Sequence, residues 1–152
     1  MRVAVAGTFG PLHDGHRELF RAALREGDDG VLVALTGDAF ANRTRDRAVP
    51  SFEDRKAAVE DAVRDLDRWG RDVEIRRLED EHGIAADDPA LDALVVSPET
   101  APELAAINEQ RRARGLDPLE GIVVPYVIAD DGDRISSTRI ARGEIDDHGR
   151  VR

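Results

Sequence analysis

The sequence predicts an α/β fold, an open and mostly parallel sheet with helices on both faces. Compact apolar runs bounded by turn residues alternate with segments whose apolar residues recur at helical spacing, giving the order β-α-β-α-β-β-α-β-α. A length of 152 residues and a hydrophobic content of 41% suit one ordinary core, so a single domain over residues 1–152 is expected, with 144–152 as a flexible tail.

Arg2 to Ala6 and Gly30 to Leu35 read as short buried strands. Between them, in Gly15 to Glu26, Leu19, Phe20, Ala23 and Leu24 form an apolar stripe with charged residues opposite, so this segment reads as a helix and the unit as βαβ. The polar, arginine-rich stretch Gly37 to Pro50 reads as a long loop bordering a site. Ser51 is placed to cap a helix, with Glu53 and Asp54 favouring its dipole and Phe52, Val59, Ala62, Val63, Leu66 and Trp69 along one stripe up to Gly70. Val73 to Leu78 alternates like a half-exposed strand, whereas Ala93 to Val96 reads as fully buried. A helix from about Ala101 to Arg114 stops at Gly115, and a strand Ile122 to Ile128 and a short helix from Ser136 follow.

Composition narrows the functional classes. Asp and Glu number 32 against 22 Lys and Arg, the net charge is −10, and Lys56 is the only lysine. An acidic excess disfavours non-specific binding of nucleic acid or anionic membranes, which needs clustered bases. In molar salt the Debye length falls to about 3 Å and the self-repulsion of such a surface is screened, so it suits a salt-rich cytoplasm. The absence of cysteine removes disulfide, thiolate and zinc–thiolate chemistry. No apolar run reaches eighteen residues and the first strand passes straight into a glycine-containing loop, so a cytoplasmic protein is expected. An anionic ligand must therefore be held by a local cluster of donors.

One such cluster runs from the first strand into the first helix as Gly7-Thr8-Phe9-Gly10-Pro11-Leu12-His13-Asp14-Gly15-His16. Glycines at 7, 10 and 15 allow sharp turns and close approach, and the helix start offers unpaired N–H groups and a positive dipole end. His13 and His16 can both point at a phosphate chain there. A second cluster, Ile135-Ser136-Ser137-Thr138-Arg139, brings three hydroxyls, fresh helix-start amides and a guanidinium.

The first cluster resembles the T/HxGH signature of the nucleotidyltransferase superfamily, and the second resembles the ISSTxR signature that accompanies it. The resemblance implies a Rossmann-like nucleotidyltransferase fold. Val95-Val96-Ser97-Pro98-Glu99-Thr100, Ile107-Asn108-Glu109-Gln110-Arg111-Arg112 and Gly115-Leu116 further resemble the archaeal and eukaryotic type of phosphopantetheine adenylyltransferase, so that the likeness spans Val3 to Ile140. The acidic, lysine-poor composition suits a version from salt-loving archaea. The bacterial branch has Thr where His13 stands and commonly Asp where Gly10 stands, so details of the bacterial enzymes, including their assembly, are not carried over.

What the resemblance implies is transfer of AMP from ATP to 4′-phosphopantetheine, giving dephospho-CoA and pyrophosphate in coenzyme A biosynthesis. Such transfers are accelerated by positioning and charge stabilisation, which fits a site rich in donors without an evident nucleophile. His16 is expected at the α-phosphate, His13 at the triphosphate, and Thr8 and Phe9 at the acceptor phosphate. Ser136, Ser137 and Thr138 are expected to hold the β- and γ-phosphates with Arg111 or Arg139, while Gly7 and Gly15 shape the nucleotide site. Arg43, first among Arg43, Arg45 and Arg47, and Asn108 are expected on the acceptor. Mg²⁺ is expected to arrive on ATP rather than in a protein cage. Sibling enzymes making CDP-glycerol, FAD or NAD share the phosphate motifs. A non-catalytic nucleotide sensor would share the cradle but would be expected to have lost an imidazole.

Overall fold

The computed structural model describes residues 1–44, 49–80 and 82–152, without the side chains of Arg43 and Thr44. Its strands are β1 (Arg2–Gly7), β2 (Gly30–Thr36), β3 (Val73–Leu78), β4 (Ala93–Val96) and β5 (Glu120–Val123). Its helices are α1 (Asp14–Glu26), α2 (Asp38–Thr44), α3 (Phe52–Leu66), α4 (Gly83–Asp87), α5 (Ala101–Ala113) and α6 (Ser137–Ala141). The strands form one sheet in the order β3-β2-β1-β4-β5, every neighbouring pair parallel.

The two-residue period of the central strands explains the helical layers on both faces. Val3 and Val5 of β1, Val31, Val33 and Leu35 of β2 and Ala93 and Val95 of β4 share one core cluster with Phe20 and Leu24 of α1 and Val59 and Val63 of α3. The intervening residues Ala4, Leu32, Leu94 and Val96 join a second cluster with Ala85 of α4 and Ile107 of α5. Burial of each large side chain of this kind stabilises the fold by roughly 1.5–3 kcal/mol. Strands flanked on both sides in this way carry no polar face, which is why β2 is buried along its whole length.

Four local readings of the sequence are corrected. The stretch after β2 is not loop throughout, since α2 occupies Asp38–Thr44 and Asp38 Oδ1 accepts the Phe52 amide at 2.7 Å, tying its start to that of α3. Ser51 caps α3 as expected, but the helix ends at Leu66 and leaves Trp69 41% exposed. The Asp67 carboxylate gathers the amides of Trp69, Gly70 and Arg71 at 2.8–3.0 Å and turns the chain before the tryptophan can join the stripe. The last strand is shorter and earlier than Ile122 to Ile128. Its partner β4 has only four residues, and Pro125 has no amide to continue the ladder.

The fourth correction concerns the C-terminal segment, which folds back onto the body instead of trailing. Ile145 is fully buried with Ala129 and Ile135, Asp147 O accepts the Asp14 amide at 3.0 Å, and Gly149 O accepts that of Asp130 at 2.9 Å. The first of these bonds satisfies an N–H at the start of α1 that the helix itself leaves unpaired. Among the described residues, no helix is long and apolar enough to cross a membrane.

The chain runs outward from β1 to β2 and β3, then returns to β4 on the other side of β1. Loops at the carboxyl ends of β1 and β4 therefore diverge, and an open parallel sheet has its natural crevice at such a reversal.

Candidate functional site

The loop leaving β1 is shaped by packing before any ligand is considered. Phe9 is buried with φ of 50°, a left-handed conformation uncommon outside glycine. Its ring meets Phe20 edge-on at 4.9 Å and His16 at 5.1 Å between centroids. The same ring crosses Gly7, where an added Cβ would lie 2.9 Å from it. Phe9 is thus a core anchor that forces the turn, and the orientation of the loop amides follows from it.

Behind the loop stands Arg55 of α3, 1% exposed and not singled out by any sequence motif. Its guanidinium donates to Thr8 O at 2.9 Å, Thr36 Oγ1 at 3.2 Å, Pro50 O at 2.7 Å and Asp38 Oδ1 at 3.2 Å. Thr36 in turn donates to Thr8 Oγ1 at 3.1 Å. Glycine is required at position 10 because a Cβ there would lie 2.6 Å from Arg55 Cδ. A buried cation thus braces the carboxyl ends of β1 and β2 directly under Thr8.

His13 caps α1, its Nδ1 accepting the His16 amide at 3.4 Å, and its ring stacks on that of His16 at 3.7 Å. With Nδ1 used as an acceptor, the neutral ring carries its proton on Nε2, where it can donate to a ligand. Burial, reinforced by the positive charge of Arg17, pushes the His13 pKa down to about 4. The ring is therefore neutral at pH 7. Gly15 lets it fold over the helix start, for a Cβ at that position would lie 2.8 Å from His13 Cε1.

The second motif approaches from the other end of the chain. Ser136 caps α6 through the Arg139 amide at 3.2 Å, and Ser137 Oγ donates to Pro11 O at 2.7 Å. A cleft of about 430 Å³ opens between the motifs. It is lined by Gly7, Thr8, Phe9, Gly15 and both histidines on one side and by Ser136, Ser137 and Thr138 on the other. Its rim carries Glu99, Glu103 and Arg134, none of them anticipated as site residues. A second cleft of about 380 Å³ shares Gly7, Thr8, Thr100 and Glu103 and continues along Phe40, Leu78, Leu94 and Ile107. His82 lies in it, 2.6 Å from Glu103 Oε2 and 2.9 Å from Gln110 Nε2. No pattern in the acidic segment around His82 marks it in sequence.

Three expected ligand residues are engaged elsewhere. Arg111, 1% exposed, donates to the carbonyls of Asp117, Ala85, Asp88 and Leu91 and pins α4 and the approach to β4 against α5. Asn108 exchanges two hydrogen bonds with the Leu119 backbone at 2.7 and 3.1 Å and so fixes the chain entering β5. Arg139 turns away from the cleft to Asp131, Glu144 and the carbonyl of Arg134. The Arg43 side chain lies outside the described residues, as do Arg45 and Arg47. Among the described residues, no group of three or more His, Asp or Glu side chains is arranged to hold a metal ion.

The arrangement is a cleft rich in hydrogen-bonding groups bordered by a second, more apolar one. The model of the cytidylyltransferase-like family matches residues 4–143. The phosphopantetheine adenylyltransferase of Methanopyrus kandleri is 44% identical over 96% of this chain and 91% of its own. That of Methanosarcina acetivorans is 40% identical over 99% and 96%. A crystal structure from Archaeoglobus fulgidus, of a protein described as having unknown function, superposes with a TM-score of 0.72 at 34% identity, covering 82% of this chain and 89% of that one. The chain belongs to the cytidylyltransferase-like family and, within it, to the phosphopantetheine adenylyltransferases.

Proposed function

We propose that this family member transfers AMP from ATP to 4′-phosphopantetheine, producing dephospho-CoA and pyrophosphate in coenzyme A biosynthesis. The observation that carries the reading is the single cleft shared by His13, His16 and the Ser136–Thr138 hydroxyls, continuous with a second cleft lined by Phe40, Leu78, Leu94 and Ile107. The first suits a triphosphate and the second a long acceptor arm in which alkyl segments alternate with amides, since its apolar lining is interrupted by Thr36, His82, Thr100 and Glu103. Near-full-length similarity to archaeal phosphopantetheine adenylyltransferases supports the same acceptor.

In this mechanism an oxygen of the acceptor phosphate forms a bond to the α-phosphorus of ATP as the bond to the bridging oxygen of pyrophosphate breaks. No covalent enzyme intermediate is needed. His16 donates to the α-phosphate and to the charge that develops on it, while neutral His13 donates through Nε2 to the triphosphate. Thr8, held from behind by Thr36 and Arg55, orients the acceptor phosphate. Ser136 and Thr138 receive the β- and γ-phosphates through their hydroxyls, and Ser137, whose hydroxyl proton is given to Pro11 O, through its backbone N–H. Mg²⁺ enters with ATP as part of the substrate, on phosphate oxygens and water. The acidic surface fits work in a salt-rich cytoplasm, where its self-repulsion is screened.

Pyrophosphate release from ATP, with phosphopantetheine, glycerol 3-phosphate, FMN and nicotinamide mononucleotide offered in turn, tests the reading. Release with phosphopantetheine alone is expected. Release with another acceptor would reassign the enzyme within its superfamily, and release with none would make the protein a nucleotide sensor.

A further inference from the structure

The nucleotide cleft has an unusual charge balance for a site that must accept a polyphosphate. Among the described residues that line it, Arg134 is the one arginine or lysine, and it shares the rim with the carboxylates of Glu99 and Glu103. Other arginines near the motifs are committed. Arg17 is paired with Asp14 and Asp147, Arg55 is enclosed beneath Thr8, and Arg139 is held by Asp131 and Glu144. Arg134 differs from them in both its partner and its mounting. It donates from Nη1 to Glu99 Oε2 at 2.7 Å, in a pair whose side chains are 42% and 62% exposed. Its guanidinium lies 4.8 Å above the centroid of the Tyr126 ring, another lining residue of the cleft. Its backbone is fixed by the antiparallel bridge to Ile128, one residue before the Ile135–Thr138 segment.

We propose that Glu99 occupies Arg134 in place of a phosphate group, and that MgATP binding exchanges the carboxylate for the nucleotide's phosphate chain. This inference rests on the adenylyl-transfer reading above. An exposed ion pair contributes little and is readily exchanged, whereas a guanidinium facing a phosphate can make two parallel charge-assisted hydrogen bonds. Tyr126 supports the guanidinium from the ring face, so departure of Glu99 does not set it loose. The exchange also works in the product direction. Once pyrophosphate has formed, the released Glu99 carboxylate competes for Arg134 and favours its departure. Glu99 thereby weakens ATP binding below what the cleft could achieve and limits product inhibition.

The test is direct binding of MgATP, without acceptor, to the full chain by calorimetry. Glu99→Gln is expected to tighten binding about three-fold, and Arg134→Gln to weaken it about ten-fold. The gain from Glu99→Gln should vanish in the Arg134→Gln background, and inhibition by pyrophosphate should strengthen in Glu99→Gln. Arg134→Lys should recover part of the lost affinity, while the acceptor KM stays unchanged in all three single variants. Unchanged or weaker MgATP binding by Glu99→Gln would overturn the proposal. So would a gain that persists at full size in the double variant, because Glu99 would then act through the general field and not through Arg134. Failure of the adenylyl-transfer reading has a different signature: the unmodified protein would release no pyrophosphate with any acceptor, yet would still bind MgATP with this response to the substitutions.

Discussion

Ser137 Oγ donates a 2.7 Å hydrogen bond to the carbonyl oxygen of Pro11, joining two segments 126 residues apart in the chain. The bond fixes the distance between the loop leaving β1 and the start of α6, and with it the width of the nucleotide cleft. Ser137→Ala should raise the ATP KM roughly three- to ten-fold while costing only about 1 kcal/mol of stability, the usual net worth of one hydrogen bond. Steady-state kinetics with a denaturant titration separates the two effects. An unchanged ATP KM would mean that the hydroxyl does not set the site.

His16 reaches the cleft from the first turn of α1, stacked on His13 at 3.7 Å. A donor that acts mainly on charge developing in the transition state appears in kcat, not in ground-state affinity. His16→Ala should therefore lower kcat by roughly 10²–10³ while changing ATP affinity by less than about three-fold. Comparable losses in turnover and in binding would contradict that role.

Arg55 holds Thr8 O and Thr36 Oγ1 from inside the core. Arg55→Met keeps much of the side-chain volume but leaves those acceptors without their cation, so a stability loss of roughly 3 kcal/mol is expected. The acceptor KM should rise more than the ATP KM, because Thr8 is the residue released. Chemical denaturation and initial-rate kinetics provide the two readings, and a larger effect on ATP would shift the brace's role to the nucleotide.

His13 provides a pH signature. Its folded pKa of about 4 lies below the ordinary 6.5, so the unfolded chain binds the extra proton first as pH falls. Its contribution to stability is complete above pH 6.5 and is lost as pH falls through 6.5 toward 4, amounting to about 3 kcal/mol at most. His13→Gln should flatten the stability profile in that window. A bound triphosphate brings negative charge to the ring and raises its pKa, so ATP binding at pH 5.5 should take up protons. Calorimetry in buffers of different ionisation enthalpy detects the uptake, and His13→Gln should reduce it; an unchanged uptake would place the proton on another group.

The sheet and the two clusters at the starts of α1 and α6 were legible because each rests on a short-range rule. Apolar runs of strand length marked β1, β2 and β4, and glycine–histidine and serine–threonine clusters marked the helix starts beside them. Arg111 was misread because helical spacing gives a face but not what covers it. It lies one turn beyond buried Ile107, and that i, i+4 relation pointed to the core face. Arg55 and His82 carry no local pattern at all. Their importance comes from contacts with residues distant in the chain, such as Thr8 for Arg55 and Glu103 for His82. Trp69 was lost to a side-chain event, the capture of three amides by Asp67, that apolar periodicity does not register.

In the proposed mechanism two helix starts from opposite ends of the chain grip one nucleotide. A crystal structure with a non-hydrolysable ATP analogue and phosphopantetheine tests it most directly. The α-phosphate is expected within hydrogen-bonding distance of His16, the β- and γ-phosphates at Ser136 to Thr138, and the pantetheine arm along Phe40, Leu78 and Ile107. A triphosphate bound to one motif and out of reach of the other would contradict it.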